Sequence, residues 1–328
     1  MGKAKRAKEA ELKAETRVGR VVKNTGSSYV VRYPDGSQTQ CKVKGNFRIK
    51  GIRTTNPVAV GDEVEVAPRE GDADYIVGIL PRRNYIIRRA SNLSKESHIL
   101  ASNIDKAFLV ATLREPEVTT IFIDRFLATC EAYNIPAALV LNKRDLWDET
   151  DQEIAEGMSY LYTSLGYAVV RVSARTGEGL EELKDMTRDK VSLMAGNSGV
   201  GKSSLINALV PGADLRTGEI SDIHHTGVHT TTFSEMVPLP YGGDLIDIPG
   251  VRGFGTIDFA PEEVGHFFPE IFRYSRECKY GDCSHVNEPG CAVIPAVGEH
   301  LISESRYASY LSILEETREE GDKYRKPF

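Results

Sequence analysis

From Arg17 to Leu80 the chain runs in short, largely alternating apolar segments: Val18–Val22, Ser28–Arg32, Thr39–Val43, Glu63–Val66 and Tyr75–Leu80. Alternation of this kind predicts half-buried strands. Pro34-Asp35-Gly36 and Val60-Gly61-Asp62 punctuate them as turns. Five short strands in about sixty residues fit a small Greek-key barrel of the oligonucleotide-binding type. Near residue 103 the period changes. Apolar runs at Asp105–Thr112, Pro136–Leu141, Tyr167–Ser173 and Val191–Ala195 alternate with helical patterns such as Thr120–Tyr133 and Leu180–Asp189. That predicts a mostly parallel sheet covered by helices. Phe233–Pro240 and Asp244–Ile248, joined at Tyr241-Gly242-Gly243, read as a hairpin, and Ser303–Glu320 as a last helix.

The expected architecture is therefore multidomain: a basic mobile arm at 1–16, an OB-type β-barrel at 17–80, a basic connector at 81–102, an α/β domain at 103–255, and a small, mostly helical domain at 256–328. Charge sharpens this division. Residues 1–100 hold 20 Lys+Arg against 11 Asp+Glu, and the remainder 21 against 36. A basic front on an acidic body suggests that one end meets a polyanion. The sequence has no apolar run long enough for a transmembrane helix, and Met1–Arg6 has no apolar run behind it. A cytoplasmic monomer without membrane contact is expected.

Gly196-Asn197-Ser198-Gly199-Val200-Gly201-Lys202-Ser203 fits G-x-x-x-x-G-K-[ST], directly after an apolar strand and before the helix-compatible Ser204–Leu209. Glycines let backbone N–H groups wrap a phosphate, and the helix N-terminus adds a favourable dipole. Lys202 should reach the β- and γ-phosphates, and Ser203 should ligate Mg²⁺.

Asn142-Lys143-Arg144-Asp145 follows a second strand. The Asp145 carboxylate can accept from guanine N1–H and N2, where adenine offers no donors, so it selects GTP over ATP. Lys143 can lie along the base, Asn142 can tie neighbouring loops, and a backbone N–H of Ser173-Ala174 can donate to guanine O6. Asp247-Ile248-Pro249-Gly250 fits D-x-x-G: Asp247 should hold Mg²⁺ through water and Gly250 should sense the γ-phosphate. In His229-Thr230-Thr231-Thr232, Thr231 would complete the Mg²⁺ shell. Val251 stands where a water-orienting glutamine is usual, so His229 is the candidate for that task, with His224 and His225 behind it. The motifs run guanine reader, Ser173-Ala174, P-loop, threonines, D-x-x-G. This is a circular permutation of the usual order.

Cys278, Cys283, His285 and Cys291 offer three thiolates and an imidazole within fourteen residues. That set suits one tetrahedral, structural Zn²⁺ with no open position. Cys41 and Cys130 read as reduced packing residues.

Together these residues resemble the circularly permuted GTPases that depend on the small ribosomal subunit, the RsgA or YjeQ family. The resemblance rests on Asn142–Asp145, Gly196–Ser204, His229–Thr232, Asp247–Arg252 and the four metal-ligand candidates, and it covers nearly the whole chain. It implies a weak intrinsic GTPase, binding GTP and GDP, stimulated by the small subunit and acting late in its maturation. It also implies rRNA contact through the barrel. Lys42, Lys44, Arg48, Lys50 and Arg53, with Phe47 and Tyr29, offer cations among aromatics for such contact. The rival readings are a protein-regulated signalling GTPase and a GTP-gated RNA clamp with little turnover.

Overall fold

The computed structural model describes residues 16–26, 28–43, 57–68, 73–89, 97–212, 235–247 and 259–325. They form two compact units that interleave in sequence. One takes its described residues from within Met1–Asp105, Thr187–Met194 and Ile220–Pro249, the other from Lys106–Met186, Ala195–Glu219 and Gly250–Phe328.

In the first unit, β1 (Arg17–Asn24), β2 (Tyr29–Arg32), β3 (Gln38–Val43), β4 (Glu63–Ala67) and β5 (Asp74–Ile79) run in the order β1-β2-β3-β5-β4, and β4 returns to β1. The five-stranded barrel is thus closed. Its interior holds Val21, Tyr29, Val31, Tyr33, Cys41, Val64, Val66 and Ile76, drawn from alternate positions of the strands. Tyr29 is a correction to the RNA-facing set: only 3 % of it is exposed, and burial pushes its phenol up to about 12. The register of β2 turns it inward. Lys42 remains exposed, whereas Lys44, Phe47, Arg48, Lys50, Arg53 and the arm at 1–15 lie outside the described residues.

The stretch expected as a connector carries an antiparallel hairpin, β6 (Tyr85–Arg89) with β7 (Ser97–Ser102). It is fastened to the barrel by Asp62, which is fully buried. Arg82 donates to both Asp62 oxygens at 2.6 Å, Ser102 Oγ donates at 2.6 Å, and the Ala59 N–H at 2.8 Å. Gly61 is required here, because a Cβ on it would stand 2.0 Å from the Ser102 carbonyl oxygen.

In the second unit, β8 (Lys106–Ala111), β9 (Ala137–Leu141) and β10 (Ala168–Arg171) are parallel, in the order β10-β9-β8. Every residue of β9 is buried, as its unbroken apolar run requires. Helix α1 (Thr120–Ala132) starts on Thr119, whose hydroxyl accepts from the Phe122 N–H. Helix α2 (Glu149–Ser164) starts on a capping box between Asp148 and Asp151. Helix α3 (Leu180–Thr187) leads within a few residues into β11 (Val191–Gly196), which is followed by α4 (Lys202–Leu209).

The hairpin of β12 (Glu235–Pro238) and β13 (Asp244–Asp247) belongs to the first unit. There β13 runs parallel to β11, with Met194 opposite Asp247. β12 pairs with β1 at Lys23 and Glu235, and Arg32 forms a 2.5 Å ion pair with Asp244.

The C-terminal part of the second unit contains α5 (Pro269–Ser275), α6 (Val293–Gly298) and α7 (Glu304–Arg325). Val264, Phe268, Ile271, Val293, Ala296, Ile302, Tyr310, Ile313 and Leu314 form its core together with Ala128 of α1. No helix among the described residues is long and apolar enough to cross a membrane.

Candidate functional site

The phosphate loop begins where β11 ends. Gly196 is held so close to β8 that a Cβ would meet the Val110 carbonyl oxygen at 2.7 Å. Gly199 and Gly201 have φ of 83° and 86°, the left-handed region that side chains disfavour. Val200 between them is buried, and Asn197, Ser198 and Gly199 form the open rim. Helix α4 then starts on Gly201 with no side chain capping it, so its first-turn N–H groups are not taken by a cap. Lys202, Ser203 and Ser204 lie half-buried on that turn. Backbone donors around a helix N-terminus are what an anion requires.

Asn142 joins three loops. It is 1 % exposed. Its Nδ2 donates to the Val200 carbonyl of the phosphate loop at 2.8 Å, and its Oδ1 accepts from the Ala174 N–H at 3.2 Å. The stretches 142–145, 173–174 and 196–204 are thereby brought together. The Ala174 N–H expected to serve a base oxygen is thus already shared with Asn142.

Lys143 takes a left-handed backbone and donates from Nζ to the Glu115 carbonyl. Arg144 lies on a short turn, 3.0 Å from Glu178. Asp145 accepts from the buried Ser173 hydroxyl at 2.5 Å on Oδ1 and from Arg175 Nε at 2.8 Å on Oδ2. The Ser173 hydroxyl foremost, then the backbone N–H of Asp145 itself and the Arg175 charge, outweigh burial and hold the Asp145 carboxyl below the ordinary carboxylate range. It therefore stays an acceptor at neutral pH.

Two contributors were not legible beforehand. The loop Thr112–Val118 stands beside the phosphate loop, with Pro116 3.2 Å from where a Gly199 Cβ would lie. It is pinned by Lys143 and by Arg114, which pairs with Asp148 and Asp151. Arg175 is the other. Of the switch residues, the structure places Asp247 at the end of β13. His224, His225, His229, Thr230, Thr231, Thr232, Ile248, Gly250, Val251 and Arg252 lie outside the described residues.

Cys278, Cys283, His285 and Cys291 form a second centre, with all four ligand atoms within 4.8 Å of one another. His285 Nδ1 is 3.6 Å from Cys278 Sγ and 3.5 Å from Cys291 Sγ. Glu288 shapes the loop by accepting from the Ser284, Val286 and Asn287 N–H groups. Burial alone would raise its carboxyl, but the Ser284 hydroxyl and these amides outweigh it and hold it at about 2. Helix α7 grips the same loop, since Tyr307 and Tyr310 donate to the His285 and Ser284 carbonyls at 2.6 and 2.7 Å.

Helix α7 also reaches the nucleotide side of the unit. Arg306, 1 % exposed, bonds Asp124 of α1 at 2.8 Å and Glu270 of α5 at 2.6 Å. Tyr162 of α2 donates to the same Asp124. Burial raises the Asp124 carboxyl above its ordinary range, against the pull of Arg306.

Two family models match the chain: "RsgA N-terminal domain" over residues 18–76 and "RsgA GTPase" over 79–257. The small ribosomal subunit biogenesis GTPase RsgA of Porphyromonas gingivalis is 57 % identical over 315 residues, which cover 94 % of this chain and 99 % of that protein. The protein of the same name from Christiangramia forsetii is 47 % identical over 310 residues, covering 94 % and 98 %. The crystal structure of YjeQ from Thermotoga maritima superposes with a TM-score of 0.74 at 36 % identity, over 92 % of this chain and 98 % of that one. YloQ, a circularly permuted GTPase, gives 0.71 at 28 % identity over 95 % and 97 %.

Proposed function

The chain belongs to the RsgA GTPase family, and we propose that it hydrolyses GTP while engaged with the small ribosomal subunit during that subunit's late maturation. It is a GTP-hydrolysing enzyme of ribosome biogenesis. The finer assignments are our reading. The observation that carries them is Asn142, whose two bonds hold a base-reading loop and a phosphate loop in one frame. A single guanosine phosphate would then meet Asp145 at its base and the N–H groups of Gly196–Ser204 at its phosphates. Lys143 would flank the base and Lys202 the β- and γ-phosphates.

Magnesium suits an oxygen donor such as the Ser203 hydroxyl on the first turn of α4, and when bound it would neutralise charge on the phosphates. In this reading Gly250 senses the γ-phosphate and His229 positions the attacking water. The cysteine cluster fits zinc. Zn–S bonds of about 2.3 Å and a Zn–N bond of about 2.05 Å at tetrahedral angles give an N–S edge of about 3.6 Å. The His285 distances of 3.5 and 3.6 Å agree with that edge. With four protein donors the ion would be structural and would hold the loop against α7.

We place the protein in the cytoplasm, with the basic barrel on rRNA. Co-sedimentation with small subunits in GDP and in a non-hydrolysable GTP analogue tests the partner. Binding that follows the nucleotide and turnover that rises on adding subunits are expected. Turnover indifferent to subunits would remove the ribosomal role, and unchanged turnover in His229→Ala would remove that residue's role.

A further inference from the structure

Guanine's recognition edge is chemically a guanidine: N1–H and the exocyclic N2 group flank one carbon and aim two parallel donors at a carboxylate. An arginine side chain presents the same fork. In this structure a guanidinium is already at the base reader, through one of its donors. Arg175 Nε donates to Asp145 Oδ2 at 2.8 Å, while the Ser173 hydroxyl takes Oδ1. The Asp145 side chain is 9 % exposed and that of Arg175 73 %. The carboxylate is therefore largely enclosed, and the arginine reaches it from water.

The loop that carries Arg175 is fixed by its own bonds. The Ser173 N–H donates to Glu178 O, the Gly177 N–H to Ser173 O and the Thr176 N–H to Ser173 Oγ, at 2.9, 2.9 and 3.1 Å. Gly179 closes the turn, since a Cβ there would lie 2.2 Å from the Arg171 carbonyl oxygen. Arg175 can thus leave Asp145 by rotating its own side chain, with the loop and Ser173 staying in place.

We propose that Arg175 competes with guanine for Asp145, so that it sets how tightly and for how long a guanine nucleotide is held. This rests on the assignment of Asp145 to the base. The base has to displace the guanidinium to be read, and the guanidinium speeds release by recapturing the carboxylate. Inosine, with one donor in place of two, is the weaker displacer. Arg175 is a residue that sets affinity and specificity and takes no part in the chemical step.

The test is calorimetry and stopped-flow release on the full chain with GDP, IDP and XDP, in wild type, Arg175→Ala, Asp145→Asn and the double variant. Removing an exposed ion-pair partner should tighten GDP about two- to fivefold, with slower release, and added salt should shrink the gain. Asp145→Asn should shift preference from GDP to XDP, because an amide pairs with the xanthine edge. In that background Arg175→Ala should change nothing, because the neutral amide has no charge pair to lose. If Arg175→Ala binds GDP equally or more weakly while Asp145→Asn still shifts preference to XDP, competition is overturned and the guanine reading survives. If Asp145→Asn leaves the preference between GDP and XDP unchanged, the guanine reading and the competition fall together. Unchanged melting of Arg175→Ala confirms that the fold is intact.

Discussion

The barrel end and the cysteine-bearing end are each fastened by an arginine sunk onto carboxylate, but the two fastenings differ in charge and in reach. Asp62 is matched one-to-one by Arg82, and the Ala59 N–H and Ser102 hydroxyl complete its shell. All of its partners come from within about forty residues. Arg306 faces two carboxylates, Asp124 and Glu270, and its bond to Asp124 spans 182 residues. The first is a local, balanced knot. The second is charge-unbalanced, and it joins two helices of the nucleotide side, through Asp124 and Tyr162, to the helix that grips the metal-ligand loop. A buried charge is tolerable when its shell is complete, and removing one member leaves the others exposed to the full desolvation penalty.

The largest expected effect tests that difference directly. Arg306→Met should lose about 3–5 kcal/mol of stability, because two carboxylates are left buried without a counter-charge. Arg82→Met should lose less, about 2–3 kcal/mol, because Asp62 keeps a hydroxyl and an amide donor. Urea unfolding of both variants decides, and equal losses would break the comparison. Chelation comes next. Stripping a structural ion present at a thousand times its Kd removes about 4 kcal/mol. Hydrogen exchange should rise along 278–291 and α7 while the barrel strands keep their protection.

Acid should weaken the same end. Glu288 is held at about 2 against an ordinary 4.5, so its stabilisation is complete above about 4.5 and is lost as pH falls toward 2. Exchange at the Ser284, Val286 and Asn287 amides across that window measures it. Tyr310→Phe should lose about 1 kcal/mol through its bond to the Ser284 carbonyl. The smallest change is expected for Lys23→Ala, whose pair with Glu235 is about half exposed on both sides, at under about 1 kcal/mol in thermal melts.

The nucleotide side was legible where backbone geometry dictates residue type. Gly199 and Gly201 announce themselves because few other residues accept their φ. The all-apolar β9 pointed to a buried strand whose C-terminal end carries Asn142. The cysteine spacing was legible for the same reason, since ligand chemistry tolerates few substitutes. Partnership was not legible. Arg306 lies in a helix crowded with charged residues and reads as solvated until the fold brings Asp124 to it. Arg175 looks like an ordinary loop cation. The hairpin at Tyr85–Ser102 was hidden because paired arginines at 82–83 and 88–89 mask the apolar run Tyr85-Ile86-Ile87. Helix α2 shows a weak pattern because it buries few residues, among them Ala155 and Tyr162.

The span of 182 residues from Asp124 to Arg306 also bears on biosynthesis. A growing polypeptide finishes β8, β9, β10 and the phosphate loop well before position 306 is translated. Until then the buried Asp124 carboxylate has no Arg306 to pair with. A product that ends before position 306 lacks the cation that Asp124 and Glu270 share in the finished fold.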